Sequence, residues 1–481
     1  MSNQYPEFNG LHLPTIEAEI LAAWKKEQAF EQSVQLREGK TPFVFYEGPP
    51  SANGMPGIHH VISRTLKDMV CRYKTMQGFQ VKRKGGWDTH GLPVELGVEK
   101  ELGITKEDIG KTITIEAYNQ KCREAVLRYK KEWDDITNKM GYWVDLDNPY
   151  ITFENNYIET LWWILSTLYK KGYLYQSVSI QPYSPAAGTG LSSHELNQPG
   201  TYKDVKDTSV VALFGLDKTK NTAHPATKQI EQWIGDSGSV FFMAWTTTPW
   251  TLPSNLGLTV GPNIEYVLAK TFNPYTHLPI NVVLAKALLY KYFKAEEENG
   301  DFENYLAEGK KLPWKIIATF KGLQIEECRY EQLLAYEANQ ETNGDSFRVI
   351  CGDFVTTEDG TGIVHTAPTF GADDAKVAAE AGVPALLIQD EKGNLVPLVD
   401  LQGRFRPEVT DFAGMYVKNE YYDDGTAPER SADVQIAIKL KEENRAFKVE
   451  KYEHNYPHCW RTDKPVLYYP MDSWFIRVTD K

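Results

Sequence analysis

The chain has 481 residues, 42% hydrophobic and 24% charged, with a formal net charge of −13. That length implies two or three soluble domains rather than one, and the acidic balance excludes a protein that holds nucleic acid by bulk charge alone, though not a local basic groove. Five scattered cysteines (Cys71, Cys122, Cys328, Cys351 and Cys459) form no CxxC pair, so neither a disulfide framework nor a zinc ribbon is expected. They suit a reducing compartment. The opening MSNQYPEFNGLHLP lacks the basic-then-apolar run of a signal peptide, and the apolar stretch Leu161–Leu168 is too short to span a bilayer. A cytoplasmic protein with no membrane partner and no metal ligands is expected.

In chain order, residues 15–30 have the spacing of an amphipathic helix. PFVFYEGPP (42–50) reads as a buried strand ended by Gly48-Pro49-Pro50. After the loop SANGMPG, apolar residues from His59 to Tyr73 recur at helical spacing, and FQVKRKGGWD (79–88) predicts a second strand. Strand, glycine-bearing turn and helix open a nucleotide-binding α/β unit. One long helix is expected over 114–140, and another from Asn156 to Lys171, capped at Gly172. Near Gln198-Pro199-Gly200 the character changes. Short β runs follow at 209–214, 239–245, 266–270, 314–320 and 362–367. The expected organisation is α/β: a nucleotide-binding part over 1–199, a β-rich insertion over 200–430, and a return segment over 431–481.

Three constellations carry chemistry. In EGPPSANGMPGIHHVISRTLKD (47–68), His59 and His60 stand where a helix begins, just after Gly57. A helix N-terminus offers free N–H groups and partial positive charge to phosphate. Imidazoles placed there can stabilise charge that grows on a phosphate chain. For a bare His-His pair, a helix cap beside a surface residue is the plainer reading. In GGWDTHGLPVE (85–95), Asp88 and His90 end a strand, where α/β folds place ligands, and a carboxylate there suits an ammonium group. WTTTPWTLPSN (245–255) and GTGIVHTAPTFGADD (360–374) offer hydroxyls, a histidine and two aspartates, although Asp373-Asp374 at a helix start can be simple caps.

Together these runs resemble the class I aminoacyl-tRNA synthetases, and the Gly-Gly-Trp-Asp-Thr-His-Gly-Leu-Pro run resembles their isoleucyl branch. Pro49-Pro50, Ala52-Asn53-Gly54 and Leu66-Lys67-Asp68 stand at the family's spacing, while the signature itself departs: Gly57-Ile58-His59-His60 replaces His-Ile-Gly-His. The resemblance implies a Rossmann-like catalytic domain interrupted by a β-rich editing domain. It implies ATP contacts from Asn53, Gly57, His59 and His60, with His59 reaching the phosphates from its shifted position. Asp88, with His90 beside it, would hold the isoleucine ammonium and Pro49 would line its pocket.

By the same resemblance, Thr246, Thr247, Thr248, Trp250 and Asn255 would shape a hydrolytic pocket, and His365 would contact the misattached residue or the terminal ribose. Asp374, beside Asp373, would grip its ammonium. No Ser-His-Asp nucleophile is evident, so water is the expected attacker. KKGYLYQ (170–176), QPYSPAAGTGLSSHE (181–195) and YPHCWRTDKPVLYY (456–469) extend the likeness. Tyr183-Ser184 and Cys459 lack the cysteine pairs of zinc-binding relatives, so no zinc is expected. The family's Lys-Met-Ser-Lys-Ser loop and helical anticodon-binding domain are absent from these residues, which suggests an incomplete fragment. The implied partners are the isoleucine tRNA, isoleucine and ATP with Mg2+, and a monomer is expected. A valyl or leucyl relative and a non-aminoacylating tRNA-binding paralogue are the alternatives.

Overall fold

Prolines and glycines decide where the backbone can form ladders, and two separate architectures result. A computed structural model of the protein describes residues 10–219, 224–234, 238–307, 311–336, 345–390 and 392–479. They form two compact units, one of described residues within 10–175 and 475–479, the other of described residues within 176–474.

In the first unit, helices α1 (Leu13–Glu27) and α2 (Ala29–Gln35) replace the single expected helix, because Gln28 adopts a left-handed φ of 51° between them. Helix α3 (Ile58–Met76) is followed by strand β1 (Lys84–Trp87), helices α4 (Leu92–Leu102), α5 (Ile115–Val126) and α6 (Lys130–Lys139), strand β2 (Asp145–Ile151) and helix α7 (Asn155–Lys170). Strands β1 and β2 pair in parallel, Lys84 opposite Asp145 and Trp87 opposite Ile151, so the intervening helices form a crossover. The expected strand at 42–50 is only an extended segment. The Phe43 N–H donates to the Gln80 carbonyl and the Asp88 N–H to the Pro50 carbonyl, with a single parallel bridge at Pro42. Pro42, Pro49 and Pro50 have no N–H to extend that ladder.

The expected helix over 114–140 is broken at 127–129, where the Tyr129 N–H turns to the Ala52 carbonyl at 2.9 Å. The Trp133 indole then donates to the Gly54 carbonyl at 2.9 Å, and Ala52, Trp87 and Trp133 pack as a small core. Gly172 takes the expected left-handed cap of α7 at φ 75°. On α3 the buried positions are Arg64, Cys71 and Thr75, whereas Leu66 and Met69 of the apolar stripe stay exposed.

In the second unit the chain passes strands β3 (Leu174–Ser184) and β4 (Thr189–Gly190), helix α8 (Ser193–Leu196), β5 (Tyr202–Gly215), α9 (Pro225–Ile234) and β6 (Ser239–Thr246). Strands β7 (Gly257–Val260), β8 (Glu265–Phe272), β9 (Pro279–Ala285), β10 (Lys315–Lys321), β11 (Arg348–Cys351) and β12 (Ile363–Thr366) lead into helix α10 (Ala372–Ala381). The short pair β13 (Ile388–Gln389) and β14 (Leu395–Val396), helix α11 (Ala432–Glu442) and strands β15 (Ala446–Pro457) and β16 (Leu467–Ile476) complete it. Each of the five β runs expected within 200–430 overlaps one of these strands, although β12 is shorter at both ends than the expected 362–367.

A curled nine-stranded sheet runs β10-β8-β9-β6-β12-β7-β11, with β5 and β15 branching from β6. Strand β6 is its hub, parallel to β9 and β12 and antiparallel to β5. Along β5, Val210, Ala212 and Phe214 enter one apolar cluster while Val211 and Leu213 enter another, so the sheet is covered on both faces. Residues 446–457, expected in the return segment, pair with β5 from Ala446–Ala212 to Pro457–Tyr202 and so belong to this sheet.

Candidate functional sites

The first unit holds a cleft of about 390 Å³ at the start of α3, lined by Gly48, Pro50, Ser51, Asn53, Gly54, Met55, His60, Ser63, Arg64, Lys67 and Trp133. His60 is fixed by its own helix cap: the Gly57 N–H donates to His60 Nδ1 at 2.8 Å. With Nδ1 accepting, the neutral ring carries its proton on Nε2. Burial, then the neighbouring His59 and Arg64, lower its pKa from the ordinary value, which keeps it a neutral donor. Its ring packs against Trp133 at 4.6 Å between centroids and against His59 at 3.8 Å. His59 itself is exposed and folds back over the cap. A Cβ built on Gly57 would sit 2.7 Å from its Cε1, so the ring occupies space that only glycine at 57 leaves open.

Arg64 lies one turn beyond His60 on the same helical face. It is 7% exposed and donates to the Thr137 hydroxyl at 2.9 Å, with its guanidinium over the Trp133 ring at 5.2 Å and the Tyr142 ring at 5.7 Å. Among the described residues no carboxylate reaches it within ion-pair distance, and it borders the cleft. Glu47 is buried beside it. Its carboxylate takes Lys67 Nζ at 2.6 Å and the Tyr142 hydroxyl at 2.6 Å, while the Tyr150 hydroxyl donates to its carbonyl. These bonds fix the approach to the Pro49-Pro50 turn.

Asn53 and His60 are thus brought into one cleft. Gly57, His59, Pro49, Asp88 and His90 are not among its lining residues, although the Gly57 N–H and the His59 ring both contact His60. Asp88 is half-buried, its N–H bound to the Pro50 carbonyl and its carboxylate accepting the His90 N–H at 3.2 Å. His90 is exposed, with Nδ1 2.9 Å from the Thr152 hydroxyl.

In the second unit, β12 runs beside β6 with Val364 opposite Trp245. That register sets His365 next to the threonine run. Thr246 Oγ1 accepts the Thr248 N–H at 3.0 Å and lies 3.3 Å from Thr248 Oγ1, which folds the run into a tight bend ahead of the 3-10 turn Pro249–Ser254. Thr247, between them, is half-buried. His365 is nearly enclosed: Nδ1 is 2.8 Å from Asn255 Nδ2 and Nε2 is 2.9 Å from Thr251 Oγ1. Desolvation pulls its pKa down to about 3, so the ring is neutral. Trp250 is 2% exposed and packs edge-on against Phe370 at 5.1 Å.

Asp374 accepts the Ala367 N–H at 2.8 Å, two residues beyond His365, through Oδ2. Among the described residues no donor meets Oδ1. Burial, with exposed Asp373 adding like charge, pushes its pKa up to about 6. The half-buried carboxylate that results at neutral pH can receive an ammonium group. Gly371 makes room for it, since a Cβ there would lie 2.7 Å from Asp374 Cγ.

Sequence reasoning missed Glu47, Arg64, Thr251, Tyr330 and Asp433. Thr251 stands inside the threonine-rich run, and Arg64 follows His60 at i+4, so both had a local signal. Tyr330, whose hydroxyl donates to Asn255 Oδ1 at 2.6 Å, and Asp433, whose carboxylate takes the Trp250 N–H, come from distant chain positions.

Residues 19–480 match the family described as tRNA synthetases class I (I, L, M and V). The chain is similar to the isoleucine–tRNA ligase of Cytophaga hutchinsonii, 61% identical over 98% of this chain and 42% of that protein. It is likewise similar to the isoleucine–tRNA ligase of Porphyromonas gingivalis, 56% identical over 100% of this chain and 42% of that one. The chain therefore spans about 42% of the length of these curated relatives. Among solved structures, the editing domain of the P. knowlesi cytosolic leucyl-tRNA synthetase aligns with 53% of this chain and 99% of its own at 10% identity and a TM-score of 0.32.

Proposed function

The chain belongs to the class I tRNA synthetases of the isoleucine, leucine, methionine and valine group, and on that premise we propose that it serves the ATP-dependent activation of isoleucine, its attachment to the isoleucine tRNA, and the hydrolytic removal of misattached valine. The protein would act in the cytoplasm as a monomer.

In the first unit ATP would enter the cleft with Mg2+ as a substrate complex. The His60 Nε2–H and the first-turn N–H groups of α3 face the place where phosphate charge grows as the isoleucine carboxylate attacks the α-phosphorus and pyrophosphate leaves. Asn53, Gly57 and His59 would complete this wall. Asp88 would hold the amino acid's ammonium beside the Pro49 turn, with His90 at its rim.

Valine lacks one methylene of isoleucine, a difference worth only about 1–3 kcal/mol in a pocket, for which synthetases of this specificity are the standing illustration. A second, smaller site removes the shortfall. Thr246, Thr247 and Thr248 would shape it with Trp250 and Asn255, and Asp374, flanked by Asp373, would bind the ammonium of the misattached residue while water attacks the ester. The observation that supports this reading is the 2.8 Å contact of Asn255 with His365, which joins two motifs 110 residues apart into one wall.

The test is deacylation by the full-length protein of valyl-tRNA and isoleucyl-tRNA, both built on the isoleucine tRNA. Loss of valine alone is the expected result. Equal stability of both esters, with no isoleucine-dependent pyrophosphate exchange, would favour a tRNA-binding paralogue instead.

A further inference from the structure

The hydrogen bonds around His365 form a chain with only one possible direction. The Asn255 amide nitrogen donates to the Gly257 carbonyl at 2.9 Å, while its oxygen accepts the Tyr330 hydroxyl at 2.6 Å, so the amide cannot be reversed. Its second N–H therefore points at His365 Nδ1, which must accept. The ring proton is then on Nε2 and is given to Thr251 Oγ1. That hydroxyl, having accepted, spends its own proton on the Thr248 carbonyl at 2.9 Å. Tyr330 and Asn255 are fully enclosed, and Thr251 and His365 are nearly so.

Both ring nitrogens of His365 are thus committed to protein groups, so only the carbon edge of the ring is left to meet a substrate. What the ring controls is the Thr248 carbonyl, and through it the bend of the threonine run. We propose that Thr251 and Tyr330 are positioning residues of the hydrolytic site, the two ends of a fixed relay that holds neutral His365 and the Thr246–Thr248 bend in place. This rests on the editing reading above. A relay suits the task because it adds a side-chain hold on the Thr248 carbonyl to the Thr251 N–H that meets it at 3.0 Å and to the Thr246–Thr248 contacts, and a shift of one ångström in a positioning group can cost two orders of magnitude in rate. Burial, which pulls the imidazolium down to about 3, keeps the relay intact across the neutral range.

The test compares Thr251→Val, Thr251→Ser and Tyr330→Phe in the full-length protein. Thr259→Val, which breaks a buried Thr259–Thr366 hydroxyl pair outside the relay, serves as a stability control. Valyl-tRNA deacylation is measured as kcat and KM, and the ring-15N signals of His365 are recorded by NMR. The relay requires an Nε2–H tautomer at pH 7. It also requires a kcat for Thr251→Val at least about tenfold below that of Thr259→Val at matched Tm, with KM little changed, Thr251→Ser within about threefold of wild type, and Tyr330→Phe between them. An Nδ1–H or charged His365, or a Thr251→Val enzyme as fast as the control, overturns the proposal. If the wild type shows the Nε2–H tautomer yet discharges neither ester, it is the editing reading that has failed, and the positioning role falls with it.

Discussion

The carboxylate of Asp433, at the first turn of α11, accepts the backbone N–H of Trp250 at 2.8 Å from 183 residues away. It holds the start of the 3-10 turn Pro249–Ser254 through the turn's backbone. Desolvation pushes Asp433 up to about 7, against the pull of Lys418, whose ammonium is itself bound to Asp207 at 2.6 Å. Because the folded pKa exceeds the unfolded one, this group's stabilising contribution is complete below about pH 4. It is lost as pH rises through 7, where the native state must hold a buried charge. Asp433→Asn keeps an oxygen for Trp250 and removes the charge. Its Tm should equal that of wild type at about pH 4 and below, and exceed it increasingly up to about pH 8. The expected gain is about 1–2 kcal/mol rather than the full linkage value, since buried Lys418 loses a neighbour. Identical Tm–pH curves for the two proteins would show that Asp433 does not titrate in this range.

Asp374 makes an independent prediction for rate. Its ammonium-binding form is the carboxylate, and its pKa lies at about 6. Deacylation of valyl-tRNA should therefore be constant above pH 7 and fall about tenfold per unit well below pH 6. Asp374→Asn, which still accepts the Ala367 N–H, should cost at least about tenfold at pH 7.5 and abolish that pH dependence. Folding should not suffer. The raised pKa means burial disfavours the charged form, a contribution present below about pH 4 and lost through pH 6, so the amide should match or exceed wild-type Tm at neutral pH. A variant that deacylates at the wild-type rate would remove Asp374 from the site.

The places where sequence and structure part company have physical causes. The β runs of the second unit were legible because they are short, apolar and bounded by turns, and β5 buries both of its faces. The α3 N-terminus was legible from glycine, proline and histidine spacing. The burial of α3 was not, since Arg64 and Thr75 enter the interior through partners at Thr137 and Arg83, which no local pattern announces. The helix break at 127–129 depends on a bond from Tyr129 to Ala52, a tertiary event. In the second unit the composition shift near residue 200 lies inside the compact unit that begins at 176, because β3 and β16 pair beyond the region of β-rich composition.

Gly57 and His59 allow stability to be separated from activity. A Cβ at 57 meets only the far end of an exposed imidazole, so Gly57→Ala should change Tm by less than about 0.5 kcal/mol equivalent. The ring must nonetheless leave the helix start. If His59 serves the phosphates from where it now sits, isoleucine-dependent ATP–pyrophosphate exchange should fall by about an order of magnitude. Gly57→Ala/His59→Gly should not restore it, whereas Gly57→His/His59→Gly, which returns an imidazole to the first position, should recover most of the rate. Full exchange activity in the Gly57→Ala/His59→Gly variant would show that no second imidazole is needed.

Arg64 supplies the sharpest test of the activation cleft. A guanidinium that is nearly enclosed, stacked on two aromatic rings and, among the described residues, hydrogen-bonded to the neutral Thr137 alone is costly to keep without a direct anionic partner. Burial lowers its pKa from the ordinary value, the opposite of what a dedicated ion pair would do. The cleft it borders lies at a helix N-terminus beside a neutral histidine donor, and the nearby Glu47 and Asp134 carboxylates make no direct ion pair with Arg64 among the described residues, so an incoming phosphate chain fits as its contacting counter-charge. Arg64→Lys retains the charge but not the planar fork or the stacking. It should raise the KM for ATP about tenfold while leaving the KM for isoleucine within about twofold. Arg64→Met, of similar volume and uncharged, should raise Tm or leave it unchanged in the absence of ATP, because it removes a buried charge, and should abolish the thermal shift that ATP with Mg2+ gives the wild type. An Arg64→Met protein that ATP still stabilises as it does wild type would mean that Arg64 serves packing alone.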